Sequence, residues 1–114
     1  MAYKNKVDQA ASSRRHYLRN QKAMKERAEL KNCERHAEYA EKIKVAKARP
    51  CADCNIEYPH YVMDFDHVRG KKVGNVSTMA HALRPWKLIE QEIAKCDVVC
   101  SNCHRERTYV RLSA

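Results

Sequence analysis

The sequence predicts an α+β protein in which a long basic helix precedes a small mixed domain. Residues 1–49 contain no glycine or proline and are rich in residues that favour helix. Two Cys-x-x-Cys pairs, Cys51/Cys54 and Cys100/Cys103, lie on either side of most of the remaining chain. Between the pairs, a segment with the alternation of a strand is followed by one with the periodicity of a helix. These three observations divide the chain after residue 49.

The charge of the chain lies mainly in its first half. Residues 1–50 contain 14 Lys and Arg and 6 Asp and Glu, whereas residues 51–114 contain 9 and 8, so the first half carries +8 of the net charge of +9. Such a segment is attracted to polyanions, and phosphate contacts dominate the affinity of proteins for nucleic acids. We therefore predict that residues 1–49 form a basic helical arm that contacts the DNA backbone. A solvated helix without a specific role is the alternative interpretation.

The predicted arm has two different faces. Its helix should end before Pro50, because a proline disfavours the helical conformation of the residue before it. One thin apolar stripe follows spacings of three and four residues and is formed by Leu30, Cys33, Ala37, Ala40 and Ile43. This stripe would allow two arms to pair in a homodimer, but it does not require pairing. The basic face includes Arg27, Lys31 and Arg35, which we predict to contact phosphate groups.

The sequence has the features expected of a cytoplasmic protein. Its first residues, M-A-Y-K-N-K-V-D-Q, lack the apolar segment of a secretory signal peptide. No run approaches the roughly 18 apolar residues of a membrane-spanning helix, so no membrane association is expected. In a reducing compartment, paired cysteines bind metal more often than they form disulfides.

The two cysteine pairs predict a structural zinc site. Each Cys-x-x-Cys turn can offer two thiolates to one tetrahedral ion. Two turns complete a four-sulfur site formed by Cys51, Cys54, Cys100 and Cys103. Because 45 residues separate Cys54 from Cys100, the ion would join the two ends of a subdomain. Cys96 is an alternative ligand, but its position on an apolar helical face favours packing in the core.

The segment between the cysteine pairs predicts a strand, a loop and a helix. Residues 61–67 (Y-V-M-D-F-D-H) alternate as a strand does, and the strand should end near His67. A loop with two glycines follows, and residues 80–96 then have helical periodicity. One apolar face of this helix is formed by Trp86, Ile89, Ile93 and Cys96. A last, basic helix is expected to begin near Ser101.

Asp64, Asp66 and His67 lie in the predicted strand, although carboxylates are depleted in strands. The second cysteine turn is followed directly by His104, and the zinc site would bring His104 close to the strand. A carboxylate on a strand and an imidazole on a helix can hold a hard divalent ion, with water and phosphate oxygens as further ligands. A second histidine without a metal can take a proton from water. This set of residues favours phosphodiester hydrolysis.

Residues 51–108 resemble the HNH endonucleases of the four-cysteine zinc type, many of which are small proteins of bacteriophages and mobile elements. The resemblance rests on V-M-D-F-D-H-V, on L-I-E-Q-E-I-A-K-C-D-V-V-C-S-N-C-H-R-E-R-T and on the upstream Cys-x-x-Cys. It implies a ββα-metal fold within residues 50–114, with two antiparallel strands and a helix around one divalent ion. It also implies that His67 is the general base and that Asp66 and His104 hold Mg²⁺ or Mn²⁺.

One element of the family pattern is missing from this chain. Many members have an asparagine shortly before the second cysteine pair, whereas this chain reads A-K-C-D-V-V there. Asn75 and Asn102 are the nearest substitutes, and we place Asn102 among the candidate catalytic residues, although it would also tighten the cysteine turn. Asp64 shares a strand face with Asp66, so it would either contribute to the metal site or orient a neighbour. Basic residues near the site are predicted to contact DNA phosphates: Lys71, Lys72, Arg105 and Arg107.

These expectations together predict a metal-dependent HNH endonuclease that cuts double-stranded DNA, in one strand or in both. A histidine after Cys-x-x-Cys also occurs in zinc proteins without activity. The alternative is therefore a non-catalytic, zinc-stapled module that binds nucleic acid or has a structural role, alone or within a larger machine. RNA as the substrate stays open.

Overall fold

The computed structural model describes residues 6–113, which contain helices and one two-stranded sheet, as the α+β prediction requires. Of these, residues 6–34 belong to one compact unit and residues 35–113 belong to another. The elements in chain order are α1 (Lys6–Ala46), a 3₁₀ turn (His60–Val62), β1 (Met63–His67), α2 (Val76–His81), α3 (Trp86–Ile93), β2 (Cys96–Cys100) and α4 (Ser101–Ser113). Within the described range, none of the helices is both long enough and apolar enough to cross a membrane.

The first unit contains residues 6–34 of α1. Nearly all of its side chains are exposed, and Leu30, in the predicted apolar stripe, has 62% of its surface accessible to solvent. Cys33 is exposed as well. The helical conformation of this unit therefore depends on intrinsic helix propensity and on local hydrogen bonds. In one of these, Asn20 Nδ2 donates to the carbonyl oxygen of His16 at 2.8 Å.

The second unit includes the last turns of α1. Tyr39 is buried there in a core cluster with Val76 and Ile89. Its hydroxyl donates a hydrogen bond of 2.7 Å to the carbonyl oxygen of Arg84. The sequence prediction assigned these turns to the basic arm. Ile43 of the predicted apolar stripe packs against the same cluster, whereas Ala37 and Ala40 are exposed.

β1 and β2 pair as antiparallel strands, with Met63 opposite Cys100 and His67 opposite Cys96. This register places the end of β2, and hence the second cysteine turn, beside the start of β1. The buried members of a second core cluster are Cys51, Met63, Val98, Val99 and Cys100. The cysteine turns are therefore part of a core and are not appended to it.

The segment predicted as one helix over residues 80–96 is divided into two. Leu83 adopts a positive φ of 52°, and α3 starts directly after Pro85, which disfavours helix in the residue before it. As the periodicity predicts, α3 presents one apolar face, in which Ile89 is fully buried. Cys96 is buried too, but it lies in β2 rather than on the helix.

Candidate functional site

The four cysteines predicted as zinc ligands lie together. Their Sγ atoms are all within 4.8 Å of one another, and those of Cys54 and Cys100 are 4.0 Å apart. Four sulfurs at the zinc–thiolate distance of ~2.3 Å form a tetrahedron with edges of about 3.8 Å, so the cluster has the size and donor set of a zinc site. Within residues 6–113, no other group of three or more His, Cys, Asp or Glu side chains is arranged in this way. The predicted four-cysteine group is confirmed as a cluster that can hold a metal ion such as zinc.

Backbone groups direct the thiols of this cluster. Cys100 ends β2, and its N–H donates to Cys51 Sγ at 3.3 Å, while the N–H of Cys103 donates to Cys100 Sγ at 3.4 Å. Burial opposes ionisation of Cys51, but backbone N–H donors lower its pKa to about 6. The neighbouring thiol of Cys100 raises the pKa of Cys103. A divalent cation among the four sulfurs would favour the thiolate at every position.

Cys96, the alternative zinc ligand, lies outside this cluster. Its thiol donates to the carbonyl oxygen of Glu92 at 3.3 Å, and burial raises its pKa to about 11. A buried, protonated thiol behaves as a small apolar side chain. The structure therefore places Cys96 in a packing role.

A cavity of about 280 Å³ lies beside β1. Besides β1, the residue after α1, the start of α2 and the first turn of α4 contribute to its walls. The lining residues are Lys47, Asp64, Phe65, His67, Asn75, Val76, Ser77 and His104. Three candidate residues from the sequence, Asp64, His67 and His104, are thus brought to one opening.

Asp64 and His104 form a polar pair in this cavity. β1 directs Asp64 towards α4, where His104 Nδ1 lies 3.1 Å from Asp64 Oδ2, and the two side chains are 42% and 34% exposed. Neighbouring ligands of an octahedral ion with bonds of ~2.1 Å are about 3.0 Å apart, which matches this distance. A carboxylate and an imidazole at this separation could supply two ligands to a hard divalent ion, but within residues 6–113 no third His, Cys, Asp or Glu side chain completes a group with them.

Asp66, which the family resemblance assigns to the divalent ion, is engaged elsewhere. It is 3% exposed, and its oxygens accept two hydrogen bonds of 2.8 Å from Arg111 and one of 2.8 Å from Arg107. These guanidinium groups, Arg111 foremost, lower the pKa of Asp66 to about 2. One oxygen of Asp66 lies 3.7 Å from His104 Nε2, but Asp66 does not line the cavity. The assignment of Asp66 to a divalent ion stays a prediction, and of the two strand aspartates it is Asp64 that lines the cavity with His104.

Arg107 was predicted to contact DNA, but its donors are used within the protein. They bond to Asp53 beside the first cysteine turn and to Asp66 and Asp97 on the two strands. These carboxylates, Asp53 foremost, raise the pKa of Arg107. Arg107 therefore ties α4 and the first cysteine turn to the sheet, and its contact with phosphate stays a prediction.

His67 is held by a carboxylate that sequence reasoning missed. Its Nε2–H donates to Glu92 Oε1 at 2.9 Å, and Glu92 also accepts from the N–H of Val73 at 3.0 Å and from Lys95 Nζ at 2.9 Å. Lys95 foremost lowers the pKa of Glu92 to about 2, so Glu92 is ionised and can only accept. Nδ1 of a neutral His67 therefore carries the lone pair. The available sequence signal was a glutamate on the apolar face of a helix, three residues after Ile89.

The structure places Asn75, and not Asn102, beside the two histidines. Asn75 directly precedes α2, lines the cavity and makes no capping bond with its side chain. Asn102 is exposed in the first turn of α4, and it is not among the lining residues. The loop over residues 68–75 brings Asn75 back beside β1. The spacing of the motifs did not predict this path of the loop.

The other basic residues predicted to contact DNA are exposed and accessible to a ligand. They are Arg27, Lys31 and Arg35 on α1, Lys71 and Lys72 in the loop after β1, and Arg105 on α4. Contacts between these side chains and phosphate stay a prediction.

Comparisons of the chain with protein-family models, with curated proteins and with solved structures found no match. The family resemblance therefore stays a prediction, and the functional interpretation depends on the geometry of the cavity and of the cysteine cluster.

Proposed function

We propose that the chain is a metal-dependent endonuclease of the HNH type that hydrolyses phosphodiester bonds of double-stranded DNA. The observation that carries this proposal is the convergence of His67 and the Asp64–His104 pair on one cavity. His67 is hydrogen-bonded to the buried carboxylate of Glu92, whereas His104 is hydrogen-bonded to the partly exposed carboxylate of Asp64. Metal-dependent phosphodiester hydrolysis uses a proton acceptor and a bound cation, and these two settings suit the two roles.

The two candidate metal sites would bind different ions, because they offer different donor atoms. The four thiolates suit zinc in a structural role, whereas the carboxylate of Asp64 and the imidazole of His104 would hold Mg²⁺ or Mn²⁺. When bound, such an ion stabilises negative charge on the phosphate and on the leaving oxygen.

His67 would act as the general base. Because Glu92 accepts the Nε2–H, the proton of the attacking water goes to Nδ1. The water oxygen bonds to phosphorus, the bond from phosphorus to the 3′ oxygen breaks, and that oxygen takes a proton from solvent. The products carry 5′-phosphate and 3′-hydroxyl ends. The buried charge of Glu92 then stabilises the imidazolium that has formed.

Charge supports DNA as the substrate. The chain carries a net charge of +9, and exposed basic residues occur on α1, in the loop after β1 and on α4. Such a surface attracts polyanions without selecting bases. One cavity can cut one strand at a time, so cleavage of both strands would require a homodimer or two encounters.

The proposal is tested with full-length protein and supercoiled plasmid DNA in Mg²⁺ or Mn²⁺. Nicked or linear product should form, and His67→Ala should abolish it while zinc content and DNA binding are retained. His60→Ala is the matched control, because His60 is an exposed histidine outside the cavity. The proposal fails if the parent cuts with neither metal ion, or if His67→Ala cuts as fast as His60→Ala. The same assay with RNA decides between the two polymers.

One observation favours a second candidate, a non-catalytic zinc-stapled module that binds nucleic acid. Within residues 6–113, only the four cysteines bring three or more metal-ligating side chains together, whereas the cavity beside β1 offers the Asp64–His104 pair. DNA binding by the parent without cleavage in either metal ion would support this module, either alone or as part of a larger machine.

A further inference from the structure

Lys47 brings a positive charge into the cavity beside β1. It follows the last residue of α1, and its side chain lines the cavity together with Asp64, His67 and His104. Its Nζ atom lies 5.2 Å from the centroid of the Phe65 ring. The side chain is half-buried, and it brings a cation to the same cavity as the residues that would carry out hydrolysis.

The ammonium group of Lys47 differs from the other cations around the sheet. Lys95, Arg107 and Arg111 are each ion-paired with carboxylates. Among the described residues, Lys47 Nζ makes neither an ion pair nor a hydrogen bond, and it lies over the ring of Phe65. Burial lowers the pKa of Lys47, while the charge of Asp64 acts in the opposite direction. A partly desolvated ammonium group that has no carboxylate bonded to it is stabilised when an anion approaches.

We propose that Lys47 binds the scissile phosphodiester by donating hydrogen bonds to a non-bridging oxygen. This inference rests on the proposed endonuclease function, and it names a substrate-binding group that the family resemblance did not supply. The diester would lie between the ammonium group and the cation site of Asp64 and His104. Negative charge on the phosphate oxygens grows as water adds to phosphorus. The contact therefore strengthens in the transition state and acts mainly on the rate of cleavage.

The test compares Lys47→Met with Lys44→Met in the full-length protein. Each substitution removes one positive charge and leaves an unbranched apolar side chain, but Lys44 is exposed and does not line the cavity beside β1. We expect Lys47→Met to lower the single-turnover rate of plasmid cleavage by about 100-fold, the scale for loss of one preorganised donor. Lys47→Arg should restore part of this rate, and Lys44→Met should cut almost as the parent does.

Two further measurements separate substrate binding from a structural role. In buffer without divalent ions, Lys47→Met should weaken binding of a short DNA duplex more than Lys44→Met does. The Mg²⁺ concentration for half-maximal cleavage should stay equal or fall, because removal of a neighbouring cation favours binding of another. A disturbed cavity would raise this concentration instead.

The outcomes distinguish the two proposals. Equal cleavage and equal DNA binding by the two methionine variants would overturn the role of Lys47 and leave the endonuclease proposal in place. A higher Mg²⁺ requirement in Lys47→Met would also overturn it. If the parent does not cleave while His67→Ala binds DNA as the parent does, the endonuclease proposal fails and the inference about Lys47 fails with it.

Discussion

Glu92 and Asp66 are buried to a similar degree, with 1% and 3% of their surfaces exposed, but their partners give them different roles. A buried charge is unfavourable unless donors compensate it. The donors to Asp66 are guanidinium groups of Arg107 and Arg111 on α4, so this carboxylate holds a helix to a strand. Glu92 accepts from His67, which lines the cavity, so its charge acts on the candidate base.

Glu92→Gln should impair cleavage and should also lower the melting temperature, because the buried carboxylate accepts from Lys95 and Val73 as well as from His67. The amide has the shape of the carboxylate, but it carries no charge and can donate to Nε2 of His67, which would move the ring proton to Nδ1. We expect a loss of about 100-fold or more in the single-turnover rate. Glu90→Gln, on the exposed side of the same helix, is the control and should cut as the parent does. Nitrogen NMR of the imidazole should find the proton on Nε2 in the parent, and a parental cleavage rate in Glu92→Gln would contradict the role of Glu92.

The same substitution at two positions of β1 tests which aspartate holds the divalent ion. Asp64→Asn should raise the Mg²⁺ concentration needed for cleavage and leave the melting temperature nearly unchanged, because Asp64 is partly exposed. Asp66→Asn should lower the melting temperature by roughly 5–10 °C, because the amide has no charge and keeps only one of the two oxygens that accept from Arg107 and Arg111. The opposite pattern would return the ligand role to Asp66.

At the scale of elements, the junction between β2 and α4 sets the position of His104 relative to β1. Cys100 ends the strand and the helix begins at the next residue, so the cysteine cluster holds the point where the chain changes direction. From this point the first turn of α4 carries His104 to Asp64. The last turns of α1 contribute from the other end of the unit, through Tyr39 in the core and Lys47 in the cavity.

Two truncations test how α1 divides its roles. Residues 1–34 contain nine Lys and Arg and four Asp and Glu. Their deletion should weaken DNA binding and reduce its salt dependence, since each phosphate contact contributes a log–log slope of about 0.9. Cleavage at saturating protein should persist. Deletion of residues 1–48 also removes Tyr39 and should abolish cooperative unfolding of the remaining chain.

The measurements are binding at several salt concentrations and thermal melting. An unchanged salt slope after deletion of residues 1–34 would mean that this unit does not contact phosphate. Cooperative melting of the chain that lacks residues 1–48 would mean that Tyr39 is dispensable for the fold.

At the scale of the whole molecule, metal binding and folding are expected to be coupled. The second unit is small, and two of the five buried members of one of its core clusters are cysteines of the metal group. Structural zinc in small domains contributes on the order of 10 kcal/mol of apparent folding free energy.

Cys51→Ser should therefore abolish cooperative melting of the second unit and lower the zinc content of the purified protein. Cys33→Ser is the control, because Cys33 is exposed on α1 and lies outside the cluster. Melting and zinc content are measured together for both variants. A Cys51→Ser protein that melts as the control does would mean that the cluster is not a structural metal site.

The sequence by itself determined the features that depend on local spacing. The two cysteine turns, a strand that ends at His67 and the apolar face of α3 each extend over a few residues, and the structure contains all three. The long helix follows in the same way from composition, because helix propensity acts residue by residue.

Only the tertiary structure decided which side chains meet. His67 and Glu92 are 25 residues apart, and Asp64 and His104 are 40 apart. Whether such residues become partners depends on loop paths and on the directions in which helices leave the sheet, and periodicity within a segment does not specify either. Strand alternation predicts that Asp64 and Asp66 share one face of β1. In the structure the arginines of α4 bond to Asp66, whereas Asp64 lines the cavity.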